Sequence, residues 1–167
     1  FQRVLNNLQA TTQEGKLYEA DTRLRPGGKD GPLAANFAAL QKYFSEDAWM
    51  FEFMALARAK PVAGDDTLKD KLSDWVESQL RKPHLLTDVQ KSVRDMRQRV
   101  AEEFGAGQPF RAKYAYGGLI ELTFLANQLV LAYSAQHPGL LQRSNIAIFE
   151  MAGNLGLLKQ SEATTLC

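Results

Sequence analysis

Two stretches of this chain read as helices that are apolar nearly all the way round, and they limit its fold more than anything else in it. One runs from about Glu46 to Ala59 and carries Trp49, Met50, Phe51, Phe53, Met54 and Leu56; the other runs from Leu119 to about Ala135. A helix with no polar face needs neighbours on every side, so both are expected at the centre of a helical bundle. The second is broken by Glu121, Thr123, Asn127 and Gln128, too short and too polar to span a bilayer. With 167 residues in all, the chain holds one ordinary domain, or one domain and part of another.

The remaining pattern is mostly amphipathic helix. Phe1, Val4, Leu5 and Leu8 share one face of a helix reaching about Thr12, before a stop and turn at residues 13–16. Phe37, Leu40 and Phe44 mark another, and Ser45 offers an N-cap hydroxyl to the apolar helix that follows. Thr67 caps a helix with Leu68, Leu72, Trp75, Val76 and Leu80 inward. Thr87 and Gln90 make a capping-box pattern ahead of Val89, Val93, Met96 and Val100, a narrow apolar stripe flanked by Lys91, Arg94, Arg97 and Arg99. Ile146, Phe149, Met151 and Leu155 continue the helical period, and Ser161 suits the cap of a short last helix. Residues 17–24 alternate instead, with Tyr18, Ala20, Thr22 and Leu24 on one face. A single strand is not stable alone, so it reads as the remnant of a sheet. The expected class is mainly α, with an α+β remnant before a helical bundle. Trp49, Phe53, Leu72, Trp75, Val93, Leu122 and Leu129 are the expected core.

Composition narrows the function classes. Lysine and arginine number 20 against 19 acidic residues, a net charge of +1, without the basic excess of a dedicated nucleic-acid binder. Hydrophobic residues at 45% and charged residues at 23% fit a globular chain rather than a disordered one. Cys167 is the sole cysteine, which excludes a disulfide framework and makes a reducing, cytoplasmic compartment the expectation. No basic segment followed by an apolar run opens the chain, so neither a secretory signal nor a membrane anchor is expected. A start at Phe1, inside an apparent helix, suggests a piece of a longer polypeptide.

On the polar face of the expected strand, Glu19, Asp21, Arg23 and Arg25 follow one another about 7 Å apart. A carboxylate beside guanidiniums suits Mg²⁺ and phosphate, whereas a wet sheet face carries both signs of charge as a matter of course. Spacing alone favours the wet face. The glycine-rich loop at residues 26–32 lacks the G-x-x-x-x-G-K-[ST] order of a P-loop. His84 and His137 each sit beside proline with no partner at metal-ligand spacing. Glu52 and Glu121 interrupt the apolar helices, and each needs a cation, a donor or water. For Glu52, Arg58 and Lys60 are near in sequence; for Glu121, a structural ion pair is the simpler account.

Residues 17–26, Leu-Tyr-Glu-Ala-Asp-Thr-Arg-Leu-Arg-Pro, resemble the L-Y-E-x-D-x-R-L-R-P segment of bacterial glutamine synthetase adenylyltransferases. The resemblance continues through Glu46-Asp47-Ala48-Trp49, Phe51-Glu52, residues 55–60, Ala63-Gly64-Asp65, Asp95-Met96-Arg97 and Gly117-Gly118-Leu119-Ile120-Glu121. Glu121 stands where that family has aspartate, Thr123 where it has glutamate, and Phe51 where tryptophan is usual. The combination looks most like the C-terminal, adenylylating half of this bifunctional family.

That resemblance implies residues 1–64 as the C-terminal part of a nucleotidyltransferase domain and residues 65–167 as a helical bundle domain. It also implies metal-assisted transfer of AMP from ATP to a tyrosine of glutamine synthetase, controlling nitrogen assimilation. Asp21 matches the third Mg²⁺-binding carboxylate, and Arg23 and Arg25 match the family's phosphate-neutralising arginines. Glu19, Glu52 and Arg58 are candidates to support them. Glutamine synthetase, the PII signalling protein and glutamine are the implied partners. The other two carboxylates belong to a G-S-x-x-D-x-D segment that this chain lacks, so the chain alone is expected to be inactive. The alternatives are a non-catalytic helical regulatory or interaction module, and the adenylyl-removing half.

Overall fold

Helices carry most of the chain in a computed structural model that describes residues 2–16, 20–22, 25–105 and 111–167. In order these are α1 (Gln2–Gln9), α2 (Phe37–Glu46), α3 (Met50–Leu56), α4 (Asp66–Leu80), α5 (Leu86–Phe104), α6 (Leu119–Tyr133), α7 (Asn145–Asn154) and α8 (Gln160–Leu166). Between α1 and α2 lies a short antiparallel hairpin of β1 (Thr11–Thr12) and β2 (Gly15–Lys16), with Thr11 opposite Lys16. The mainly α expectation therefore holds. The chain forms two compact units, Phe1–Ala48 and Trp49–Cys167.

The first unit departs from the pattern read in the sequence. Helix α1 stops at Gln9, and the turn expected at residues 13–16 is the hairpin, with Gly15 at a φ of 105° that favours glycine. Of the strand expected over residues 17–24, Ala20, Asp21 and Thr22 are among the described residues and are not in a strand; the others lie outside them. The carbonyls that would carry a ladder are taken by side chains. Gln9 Nε2 donates to Ala20 O at 2.6 Å, and Arg25 Nη1 donates to Thr22 O at 2.7 Å. Helix α2 is capped by Asn36, whose Oδ1 accepts from Ala39 N at 2.8 Å. Ser45 is no cap: it lies inside α2 and donates its hydroxyl to Lys42 O.

The second unit is built on α6 and α7. Ala126, Leu129 and Val130 of α6 pack against Leu140 and against Ile148, Phe149 and Ala152 of α7. Burying side chains the size of Phe149 or Leu131 contributes about 1.5–3 kcal/mol each. Helix α5 lies on α6 and α3, presenting the stripe expected of it: Val89 is fully buried, and Val93, Met96 and Val100 are half-buried. Its Thr87–Gln90 capping box does not form, because the helix already begins at Leu86. Asp65, two residues before the expected Thr67, caps α4 by accepting from Leu68 N at 3.1 Å. Ser134, fully buried at the end of α6, donates its hydroxyl to Leu80 O at 2.6 Å and ties α6 to the last turn of α4.

Phe53, Trp75 and Leu129 are buried as expected, while Leu72, Val93 and Leu122 are half-buried. Trp49 is 70% exposed. The helical face argument fails for it because α3 starts one residue later, at Met50, leaving Trp49 on extended backbone. Phe51 is also exposed, so α3 buries one side, through Phe53, Met54 and Leu56, rather than its whole circumference.

Candidate functional site

The carboxylate singled out by the sequence, Asp21, is solvent-exposed and lies in neither helix nor strand in the first unit. Arg25 is half-buried and works as a local brace: Nη1 donates to the carbonyl and hydroxyl of Thr22, and Nε donates to Gly31 O at 3.2 Å. The brace closes a glycine turn in which Gly27 and Gly28 hold positive φ. Gly31 N donates to Gly27 O, and a Cβ on Gly31 would strike Pro26 O. The residue types here suit phosphate-rich chemistry, with an exposed acid two residues beyond Glu19 and a guanidinium held by the Thr22 and Gly31 carbonyls. Glu19 and Arg23 lie outside the described residues.

The fit to Mg²⁺ is incomplete. Among the described residues no three of histidine, cysteine, aspartate and glutamate come together. Asp21 would supply a single carboxylate, where two metal ions bridging attacking and leaving oxygens need several. The described residues do not by themselves hold the metal.

In the helical unit, Glu52 Oε2 accepts from Trp49 N at 2.9 Å, so it closes the first turn of α3. Arg58 is engaged elsewhere: Nη1 donates to Arg143 O at 2.9 Å and to Asn145 Oδ1 at 2.7 Å. Asn145 Nδ2 in turn donates to Thr123 Oγ1. A polar chain thus joins the end of α3, the start of α7 and α6. Asn145 was not singled out in the sequence, although an Asn ahead of an apolar run is an ordinary helix-start signal.

Glu121 has the structural ion pair expected of it. Its Oε1 receives Arg97 Nε and Nη2, each at 2.7 Å, and its Oε2 accepts from Gly117 N at 3.0 Å. The Arg97 guanidinium also lies 5.6 Å from the centre of the Tyr116 ring. Gly118 admits no side chain, since a Cβ would stand 2.5 Å from Ala112 O. Residues 95–97 and 117–121, far apart in sequence, therefore make one joint.

Comparison with known proteins bears on all of these residues at once. A family model described as glutamate-ammonia ligase adenylyltransferase (GlnE) matches residues 1–75, which include Asp21, Arg25, Glu52 and Arg58. A bifunctional glutamine synthetase adenylyltransferase/adenylyl-removing enzyme from Xanthobacter autotrophicus is 36% identical over 99% of this chain. The chain belongs to the glutamine synthetase adenylyltransferase family. Members so named from Bradyrhizobium diazoefficiens and Mannheimia succiniciproducens are each 34% identical over 99% of the chain. The similarity thus runs past the family-model match, through the Arg97–Glu121 joint to the last helix. The chain spans 17% of the length of these adenylyltransferases. No helix among the described residues is long and apolar enough to cross a membrane.

Proposed function

We propose that this chain is a segment of an enzyme that transfers AMP from ATP to a tyrosine hydroxyl of glutamine synthetase, and that it comes from the adenylylating half. The observation that carries this reading is similarity over 99% of the chain to enzymes named for that activity. On this reading residues 1–64 close a nucleotidyltransferase domain and residues 65–167 form its helical extension. Asp21 contributes one carboxylate to the catalytic Mg²⁺ site, and the remaining ligands come from elsewhere in the parent enzyme. Arg25 braces the glycine turn that follows it, and Arg23 neutralises phosphate charge. Glutamine synthetase is the protein substrate; PII and glutamine act as regulators.

In the intact parent, Asp21→Asn should lower AMP transfer at least about a hundredfold, ~2.7 kcal/mol of barrier, because a charged ligand is lost. Its circular dichroism should be unchanged, since Asp21 is exposed. Wild-type transfer by that variant would remove Asp21 from the site. The 167-residue chain alone should not label glutamine synthetase with radioactive AMP, for want of carboxylates.

A second reading is a non-catalytic helical module, favoured by Trp49–Cys167 forming a compact unit around its own core. The residues encoded before Phe1 separate the two. A G-S-x-x-D-x-D segment about one small domain earlier supports the enzyme.

A further inference from the structure

Asp21 is exposed, while the residues on either side of it, Ala20 and Thr22, are half-buried. None of the three lies in a helix or strand, so no ladder fixes the backbone that carries the carboxylate. Two side chains from outside the segment hold it instead. Gln9, the last residue of α1, donates its Nε2 to Ala20 O at 2.6 Å. Arg25 donates its Nη1 to Thr22 O at 2.7 Å and to Thr22 Oγ1 at 3.0 Å. The carbonyl of the residue before Asp21 and the carbonyl of the residue after it are thereby each taken by a side-chain N–H.

Each anchor is itself tied down. The hairpin of β1 and β2 begins two residues after Gln9, with Thr11 opposite Lys16, and Thr12 Oγ1 donates to Gly15 O at 2.8 Å across its turn. Arg25 Nε donates to Gly31 O at 3.2 Å over the glycine turn, inside which Gly28 N donates to Arg25 O at 2.8 Å and Gly31 N to Gly27 O at 3.1 Å. Both Nη1 and Nε of the guanidinium are thus committed to oxygens of the chain itself. A planar fork reaches Thr22 and Gly31 at once, which the compact ammonium of a lysine does not.

We propose that Gln9 and Arg25 are positioning residues that set the direction of the Asp21 carboxylate for AMP transfer, Arg25 by the geometry of its fork rather than as a charge set against phosphate. The inference rests on the reading of Asp21 as part of the transfer site. A misplacement of about 1 Å at such a site can cost about a hundredfold in rate, so the loss of either anchor falls on kcat. A phosphate-binding arginine would instead act through its charge, which lysine supplies equally.

The test is steady-state AMP transfer by the intact parent enzyme carrying Gln9→Met, Arg25→Lys or Asp21→Asn, with amide hydrogen exchange over residues 20–31 as a second readout. Gln9→Met keeps the length of an exposed side chain and removes its donor, while Arg25→Lys keeps the charge and removes the fork. Each should lower kcat about tenfold and leave KM for ATP within about twofold of the parent's. Arg25→Lys should also speed exchange at the Gly28 and Gly31 amides at least about tenfold, because the turn loses its clasp. Added to Asp21→Asn, either change should lower kcat by less than about twofold, since residues that act through one carboxylate do not add. Wild-type kcat in Gln9→Met or in Arg25→Lys overturns the proposal, as does a full tenfold loss on top of Asp21→Asn. If Asp21→Asn itself transfers AMP at the wild-type rate, the reading of the site and this proposal fall together; if it is impaired and the other two variants are not, the proposal alone falls.

Discussion

The Arg97 guanidinium and the Glu121 carboxylate, 24 residues apart in sequence, meet at 2.7 Å and join α5 to the start of α6. The pair is more than a surface contact, because Glu121 also takes the Gly117 amide and is only 23% exposed. Arg97, at 47% exposed, is wetter, so solvent screening trims its share. Arg97→Ala and Glu121→Ala should each lower stability by about 1–2 kcal/mol in urea unfolding. The double variant should lose less than the sum, with a coupling of about 1 kcal/mol. Strict additivity would mean that the two side chains do not act together.

Gly118 is the tightest point of the same joint. A methyl group there would stand 2.5 Å from Ala112 O and 2.7 Å from Ala115 O, both backbone atoms that cannot swing away. The turn also presents Ala112 O and Lys113 O to the first amides of α6, Leu119 N and Ile120 N. Gly118→Ala is expected to cost about 2–3 kcal/mol, read as a fall in melting temperature. A variant as stable as the parent chain would show that residues 111–118 pack otherwise.

Gly153 sets how closely α7 approaches α8. A Cβ at that position would lie 2.8 Å from Ala163 Cβ. Ala163 is 1% exposed, so it has little room to yield. Alanine in place of glycine favours a helix by up to about 1 kcal/mol, but overpacking costs about 1–3 kcal/mol, and the clash should win. Adding Ala163→Gly to Gly153→Ala should recover part of the lost stability. If the second change only adds to the loss, the two residues are not in contact.

His84 makes the helical unit sensitive to acid. Burial, with a smaller contribution from the charge on Lys82, holds its imidazole below the ordinary pKa of 6.5, and its ring stacks edge-on against Phe53 at 5.4 Å. Above pH 6.5 both folded and unfolded states carry a neutral ring, and no stability depends on it. Below 6.5 the unfolded chain takes up a proton that the folded chain resists, so stability falls until the folded pKa is passed. His84→Gln should flatten this part of the stability–pH curve. An unchanged slope between pH 7 and pH 5, at about the midpoint set by the free imidazole, would assign the acid response to other groups.

The sequence by itself determined which segments are helical and, for α5, which side is apolar, but not that α3 buries one side only. The stripe of Val89, Val93, Met96 and Val100 lies where the three-and-four spacing put it, and α6 is central as its composition required. It also showed the need of Glu121 for a cation. These are legible because helical period and burial depend on neighbours within a turn or two, which the chain carries with it. Element edges were less so: α3 begins one residue after Trp49, and that shift alone moves the indole from the expected core into solvent. Tertiary structure decided everything that needs the chain to return on itself. Which arginine answers Glu121, where Arg58 donates, and that Ser134 reaches Leu80 O depend on how helices cross. So does the fate of residues 20–22, where Gln9 and Arg25 side chains occupy the carbonyls a neighbouring strand would have used. A polar group is satisfied by whichever partner the packed backbone brings within about 3 Å, and alternation in sequence cannot say which one that is.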